Sequence, residues 1–223
     1  AALAKLGVVK GDKVGLLAPN CVEFVITFYG IIKAGAVAST VNSGYREREI
    51  AHQINDSGAG VLIVHESVLP MAESARDATP DLRRVIVIEP TGGDPDSFWG
   101  LIENAPSTPP AVTLDPREDL AALPYSSGTT GLSKGVMLTH HNLTSNLRQL
   151  IERPREGANI IPDDVVLVHL PLFHIYALHV LMNGAIGAGA TQVMMGRFDM
   201  EVFLGLISRH RVTIMFTVPP VAQ

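Results

Sequence analysis

LPYSSGTTGLSKGVML, residues 123–138, is the most specific pattern in this sequence. Apolar residues at 120–123 and 136–138 flank its polar centre, so we predict a loop between two strands. The glycines of the loop let backbone N–H groups turn inward without steric cost, and its hydroxyl groups add further donors. Lys134 supplies one mobile positive charge. Many small donors beside one cation favour binding of a polyphosphate.

Other interpretations of this loop compete with polyphosphate binding. Counted from Gly128, the Walker A pattern GxxxxGK[ST] requires glycine at 133 and serine or threonine at 135. The chain has Ser133 and Gly135 there, so the pattern fails at two positions. The dinucleotide pattern GxGxxG does not occur either. By composition alone, a surface turn with an incidental lysine is the commoner interpretation, and only the specific string argues against it.

That string resembles the phosphate-binding signature of the adenylate-forming enzymes, [YF][ST]SGTTGxPKG, which is found in acyl-CoA synthetases, luciferases and peptide-synthetase adenylation domains. The chain has Ser133 where the family usually has proline. Proline would fix φ and stiffen the turn, so we expect looser loop dynamics and unchanged chemistry. The resemblance implies catalytic roles for Thr129 and Lys134. It also implies a set of residues that bind the phosphates of ATP, namely Ser126, Ser127, Gly128, Thr129, Thr130, Gly131 and Lys134.

Composition argues against several kinds of partner. The formal net charge is −5 over 223 residues and no run of Lys or Arg opposes it, so we expect no nucleic-acid or anionic-lipid partner. A single cysteine, Cys21, excludes an internal disulfide and favours a reducing, cytoplasmic compartment. Residues 174–196 carry no charge and are long enough to span a bilayer, but polar residues and glycines interrupt them. We predict a buried helix, a turn at 187–191 and a buried strand there, and no metal site in the chain.

Strands and helices alternate from the start of the sequence, which predicts an α/β layer with a largely parallel sheet. A connector with six prolines follows at 90–119 and carries one short helix at 97–104, whose Phe98 and Trp99 we interpret as packing anchors. Thr139 is a suitable N-cap for a helix at 140–150. The first part of the chain is predicted to contain strands at 13–18, 36–41, 61–64 and 85–89 and helices at 21–33, 46–55 and 67–78.

Five residues near the start of the chain recur in the same order 152 positions later. Glu49 has a further counterpart at the same spacing, Glu201. We therefore predict two related α/β subdomains, 1–89 and an incomplete 151–223, separated by the connector and by the phosphate-loop strands and helix at 120–150. A ligand cleft is expected between the strand ends of the two subdomains. The resemblance implies the layered αβαβα N-terminal domain of the adenylate-forming enzymes. The matched residues are Asp12, Val14, Pro19, Gly35 and Ala36 with Asp164, Val166, Pro171, Gly187 and Ala188.

A second motif, PLFHIYAL at 171–178, follows a predicted strand. Alone, its His174 would more often be a structural histidine. The motif resembles the second signature of the adenylate-forming enzymes, especially the 4-coumarate:CoA ligase branch, which implies that His174 borders the acyl carboxylate and adenylate and that Tyr176 lines the acyl pocket. Val180 stands where plant members often have a small polar residue, so recognition of a 4-hydroxyl group is in doubt. Arg197 matches a basic residue that can contact the CoA nucleotide, and a solvated surface arginine is an equal alternative.

The resemblance implies an ATP-dependent carboxylic acid:CoA ligase that uses ATP, Mg²⁺ and coenzyme A and acts on cinnamic-type aromatic acids. A medium- or long-chain fatty acyl-CoA ligase and a nucleotide-binding fragment without turnover stay open as alternatives. The family's adenine-binding Tyr-Gly-x-Thr-Glu segment and its lid with a catalytic lysine are absent, so we expect an N-terminal portion that is inactive alone. Such a cut would expose apolar surface and favour self-association.

Overall fold

The computed structural model describes residues 1–89, 94–126, 132–152 and 159–222. The chain divides into two compact units. The first unit comprises Ala1–Ala18 and Glu23–His140, and the second comprises Pro19–Val22 and His141–Gln223. The predicted segment 1–89 therefore falls in the first unit except for Pro19–Val22, and the described part of 90–119 and most of 120–150 belong to that unit as well.

A largely parallel sheet organises the first unit, as the alternation of strands and helices predicts. Its strands and those of a small hairpin are β1 (Lys13–Leu17), β2 (Val37–Val41), β3 (Ala59–His65), β4 (Arg84–Ile88), β5 (Leu120–Ala122), β6 (Tyr125–Ser126), β7 (Lys134–Gly135) and β8 (Leu138–Thr139). Six of them form one sheet in the order β4-β3-β1-β2-β5-β8, in which only β8 runs antiparallel to its neighbour. β1 and β2 are almost wholly buried, as is typical of interior strands in a parallel sheet, although β2 includes the buried polar residues Ser39 and Thr40.

Five α-helices accompany this sheet: α1 (Ala2–Lys5), α2 (Val22–Lys33), α3 (Glu47–Ser57), α4 (Leu69–Ser74) and α5 (Phe98–Glu103). The bounds of α2, α3 and α5 agree with the predicted helices, α1 was not predicted, and the prediction of one helix at 67–78 is wrong. Two 3₁₀ turns, Glu66–Val68 and Arg76–Ala78, flank the short α4 there. Pro70 lies in the first turn of α4, where a proline without an N–H group begins a helix and does not continue one.

The predicted packing role of the connector aromatics agrees with the structure. The Ser97 hydroxyl caps α5 by accepting a hydrogen bond from Gly100 N at 3.2 Å. Phe98 is buried, and its ring meets the Trp99 ring edge-to-face at a centroid distance of 5.2 Å. The buried Phe98 ring thus supports the interpretation of this residue as a packing anchor.

Two parallel strands, β9 (Val165–Val168) and β10 (Thr191–Met194), form the sheet of the second unit. A π-helix, Ala177–Asn183, runs directly into α7 and lies between these strands in sequence. The remaining helices are α6 (His140–Ile151), α7 (Gly184–Ala188), α8 (Met200–His210) and α9 (Pro219–Ala222). The predicted buried helix and the strand after it are confirmed, but the prediction that this strand is buried is wrong, because only Val193 of β10 is buried. Within the described parts of the chain, no helix is long and apolar enough to cross a membrane.

The internal repeat is visible in matching hydrogen bonds and strand register. The Asp12 carboxylate accepts from Val9 N at 3.0 Å, and the Asp164 carboxylate accepts from Ile161 N at 2.9 Å. In β1, Val14 pairs with Ala38 and Val61 on its two sides. Its counterpart Val166 pairs in the same way with Gln192 and Ile214. Both units therefore contain the same arrangement of parallel strands.

Two of the five residue pairs in the predicted repeat alignment are wrong. Gly35 has a left-handed backbone with φ 78°, and the residue with the matching conformation is Gly189, with φ 74°. Gly187 and Ala188 belong to α7. The turn therefore begins at Gly189, two residues later than predicted. The offset between the repeats grows from 152 to 154 because π-helical turns use more residues than α-helical turns.

Candidate functional site

The β6–β7 hairpin brings together two of the predicted phosphate ligands. Its antiparallel register places Ser126 opposite Lys134 and Tyr125 opposite Gly135. Directly opposed residues share one face of a ladder, so the Ser126 hydroxyl and the Lys134 ammonium lie on the same face. Both residues are exposed, whereas Tyr125 is buried. The other predicted ligands, Ser127, Gly128, Thr129, Thr130 and Gly131, lie outside the described residues.

Gly135 allows the close packing behind this hairpin. A Cβ atom at this position would lie 3.1 Å from Leu123 Cδ1 and 3.1 Å from the ring of Tyr125. Val136 N donates to Pro124 O at 2.8 Å and extends the pairing by one further bond. A larger residue at 135 would push the tyrosine ring out of place and disturb the strand that carries Lys134.

Tyr125 forms the buried face of the hairpin and is held by a charged partner. Its hydroxyl donates to Asp56 Oδ2 at 2.5 Å. Burial of the phenol, followed by this hydrogen bond and the carboxylate charge, raises the pKa of Tyr125. The phenol therefore stays protonated across the physiological range and remains a donor.

The predicted turn after β9 is confirmed, and it carries His174 into the start of a helix. His174 N donates to Pro171 O at 3.1 Å, and His174 O then accepts from Leu178 N at 2.9 Å. The imidazole packs against the Phe173 ring at a centroid distance of 4.4 Å. Partial removal from water lowers the pKa of His174, although the residue keeps an exposed edge. At neutral pH it is therefore a neutral imidazole that can hydrogen-bond a carboxylate.

Asn20 holds this turn, which the sequence patterns did not reveal. Its side-chain Nδ2 donates to Leu170 O at 2.9 Å and to Met195 O at 3.1 Å, with a longer contact of 3.4 Å to Val168 O. Its Oδ1 accepts from Leu172 N at 2.8 Å. These bonds fix the backbone on both sides of Pro171. The partners lie about 150 positions away in sequence, so local patterns gave no signal.

The predicted acyl-site residues Tyr176 and Val180 lie at the start of the helix that follows. Tyr176 is 40% exposed, and Val180 is partly buried within the π-helix. Such π-helical segments frequently occur at functional sites because they redirect side chains. Arg197, the predicted CoA contact, is exposed in the loop between β10 and α8.

His179, between these two acyl-site residues, is a buried polar side chain that sequence reasoning missed. Its Nδ1 lies 3.3 Å from the Asn183 amide nitrogen, which donates to it, so the neutral ring carries its proton on Nε2. That Nε2 has no hydrogen-bond partner among the described residues. Burial lowers the pKa of His179 and keeps it neutral. The available signal was a histidine and an asparagine four residues apart in an otherwise apolar run.

Comparisons with known proteins agree on one family. The family model described as AMP-binding enzyme matches residues 1–223. The 4-coumarate-CoA ligase 5 of Oryza sativa subsp. japonica is 40% identical over 99% of this chain and 40% of its own length. A long-chain-fatty-acid-CoA ligase from Archaeoglobus fulgidus has a TM-score of 0.88 and 31% identity, covering 99% of this chain and 42% of that one. ATP-bound MatB from Rhodopseudomonas palustris has a TM-score of 0.83 and 29% identity, covering 98% and 41%. The chain thus spans about 40% of the length of the curated relatives it matches.

Proposed function

Because this chain belongs to the AMP-binding enzyme family, we propose that the complete protein is an ATP-dependent carboxylic acid:CoA ligase. In that reaction a carboxylate oxygen attacks the α-phosphate of ATP, and the bond to pyrophosphate breaks. The thiolate of CoA then attacks the acyl carbon of the mixed anhydride and releases AMP. The barrier is largely electrostatic and entropic because anions must be brought together.

The pairing of Ser126 with Lys134 is the observation that carries this proposal. An exposed ammonium and an exposed hydroxyl on one face of a hairpin suit the oxygens of a triphosphate. Lys134 would neutralise charge as it accumulates on the departing pyrophosphate, and Ser126 would donate one hydrogen bond. The residues at 127–131 are proposed to add further donors by their resemblance to the family signature.

Mg²⁺ would accompany the nucleotide in this reaction and would neutralise part of its charge. Among the residues that the structure describes, no group of three or more His, Cys, Asp or Glu side chains could hold a metal ion. Magnesium in such sites is commonly bound through substrate phosphates with one or two carboxylates. We therefore assign no residue of this chain to the metal.

A cinnamic-type aromatic acid is the substrate that we favour. The 40% identity to a 4-coumarate-CoA ligase supports it. In the second unit, the neutral His174 can donate to the carboxylate, and the exposed ring of Tyr176 offers a flat apolar contact. His179, three residues after Tyr176, has an N–H group with no partner among the described residues, and this group could donate to a polar substituent on the acid. Arg197 is proposed to contact the CoA nucleotide.

A fatty acid is the second candidate. The likeness to a long-chain-fatty-acid-CoA ligase supports it, and so does the apolar Val180 at a position where a polar group would assist a phenol. The aromatic acid and the fatty acid differ in whether they offer a hydrogen-bond acceptor to His179. A buried N–H group favours an acid with a hydrogen-bond acceptor, whereas an alkyl chain would leave it unpaired.

Pyrophosphate release by the complete protein tests the proposal. The assay contains MgATP, CoA and one of four acids: 4-coumaric, cinnamic, octanoic or palmitic acid. We expect release with the aromatic acids and a stronger response to 4-coumaric than to cinnamic acid. Preference for octanoic or palmitic acid would establish the fatty-acid alternative. ATP binding without release would leave a nucleotide-binding module, and release of phosphate without any acid would contradict ligase chemistry.

A further inference from the structure

Two side chains on one face of α3, His52 and Asp56, reach the two strands of the β6–β7 hairpin. They are four residues apart and therefore lie one above the other on the helix. Asp56 accepts the hydrogen bond from the hydroxyl of Tyr125, in β6, at 2.5 Å. The His52 Nε2 atom lies 2.9 Å from the carbonyl oxygen of Ser133, which directly precedes Lys134 in β7.

The chemistry of the second contact fixes its direction. A carbonyl oxygen can only accept, so His52 Nε2 carries the hydrogen and donates it. The same imidazole also meets the Tyr125 ring edge-to-face at a centroid distance of 6.4 Å. One histidine therefore contacts both β6 and the residue directly before β7, and α3 contacts the hairpin through two side chains.

The described part of the hairpin has a short ladder and gains from such support. Among the residues that the structure describes, the ladder contains two residue pairs, Tyr125 with Gly135 and Ser126 with Lys134. A short two-stranded ribbon is marginally stable at best in water. Contacts from a helix that is itself anchored by the buried Ile50 and Ile54 supply a rigid reference for both strands.

Neither acceptor needs its contact merely to be satisfied. Asp56 is exposed and Ser133 is partly exposed, so water could hydrate both acceptors. The hydrogen bonds made by Asp56 and His52 instead fix the positions of β6 and β7 relative to α3. Since Ser133 is bonded directly to Lys134, fixing its carbonyl also fixes the backbone from which the ammonium group extends.

We infer that His52 and Asp56 are positioning residues that set the spacing of β6 and β7 and so aim Lys134 and Ser126 at the phosphates of the nucleotide. This inference rests on the proposed function. Neither side chain touches the reacting atoms, and each acts through the hairpin. A small misplacement of groups that bind a substrate is enough to reduce its affinity and rate severalfold or more.

Steady-state kinetics of the complete protein test this role. We expect His52→Ala and Asp56→Ala to raise KM for ATP about three- to tenfold, the range that one lost hydrogen bond gives. KM for the acid and for CoA should stay within about twofold, since those substrates do not depend on the hairpin contacts. His52→Gln should restore most of the ATP affinity because its Nε2–H group can donate to the same carbonyl. His65→Gln is the matched control, since among the described residues the His65 side chain bonds only its neighbour Ser67, at 2.8 Å.

Each result separates the inference from the proposed function. Wild-type protein that neither binds nor turns over ATP would overturn both. An active wild type whose alanine variants keep KM for ATP within twofold would overturn the inference alone. Equal losses for all three substrates without rescue by His52→Gln would indicate a purely structural role and also overturn it. Should the alanine variants fail to fold, Tyr125→Phe, which keeps the ring and removes only the hydroxyl, must show the same selective rise in KM for ATP.

Discussion

Asn20 shows how one side chain can fix a turn in the second unit. Its amide bonds the carbonyl groups of Leu170 and Met195 and the N–H group of Leu172, and it is itself only 8% exposed. Buried backbone groups that lose such a partner keep the full cost of their desolvation. The turn that carries His174 therefore depends on a residue that its own sequence motif does not contain.

Asn20→Ala is expected to lower the free energy of unfolding by about 2–4 kcal/mol, because several buried groups lose their partner together. Urea denaturation of the wild type and of Asn20→Ala measures this difference in the free energy of unfolding. Asn55→Ala is the control, since its exposed amide makes one bond, to Ala78 O at 2.8 Å, and should cost less than about 1 kcal/mol. Equal midpoints for the two variants would show that Asn20 does not hold the turn.

Sequence reasoning at this scale located residues whose signal is local. Ser126, Lys134 and His174 stand in contiguous motifs, and the structure places the first two on one face of a hairpin. His52 and Asp56 were missed because their partners lie 81 and 69 positions away. His179 was missed because its unpaired Nε2 follows from burial and π-helical winding, which the apolar run does not specify.

At the scale of elements, the helix before β10 differs most from expectation. Strand and helix positions in both units follow from apolar periodicity and from glycine and proline signals. Those signals do not reveal a change from α to π winding, so the helix was predicted to end two residues early. The helix ends at Ala188 and is capped by Gly189, whose φ of 74° is open to glycine at little cost.

Gly189→Ala is expected to destabilise the protein by about 1–2 kcal/mol although no atom lies within 4 Å of the added Cβ, because the left-handed conformation itself is costly for alanine. Gly205→Ala is expected to change stability in the opposite direction. Gly205 lies inside α8 with open space around it, so alanine should stabilise by about 0.5–1 kcal/mol. Thermal unfolding of both variants checks the signs, and stabilisation by Gly189→Ala would contradict the assigned helix end.

For the whole molecule, the α/β class and the internal repeat were open to prediction because they depend on patterns spread along the chain. The bonds of Asp12 and Asp164 show that the repeated residues do the same work in each unit. The π-helical winding of Ala177–Asn183 and the partners of Asn20 depend on tertiary packing, which no local sequence pattern encodes. The predicted cleft between the subdomains stays a prediction.

The molecule as a whole should lose stability in mild acid. Burial lowers the pKa of four histidines below the ordinary value for histidine. They are His140, His169, His174 and His179. The unfolded chain therefore binds protons near pH 6.5 while the folded chain resists them, so stability falls as the pH drops through about 6.5 towards the lowered pKa values. Asp119, whose pKa is lowered by its hydrogen bond with Lys10, contributes only at more acidic pH.

Urea midpoints at pH 7.5 and pH 5.5 measure this effect, and the lower midpoint is expected at pH 5.5. His179→Gln should shrink the difference because glutamine does not titrate. Met182→Leu, a buried and non-titrating change in the same π-helix, should leave the difference intact. A midpoint that is higher at pH 5.5 would contradict the assignment of these histidines as neutral in the folded protein.

Calorimetric titration of the complete protein with MgATP is the most direct test that the β6–β7 hairpin holds a triphosphate. The structure predicts that Lys134→Ala weakens binding by about 10- to 100-fold, the loss typical of a hydrogen bond to a charged group. Lys33→Ala, which removes an exposed ammonium from the last turn of α2, should leave the affinity within about twofold. Equal MgATP affinity in the wild type and Lys134→Ala would contradict the assignment of the hairpin as the phosphate site.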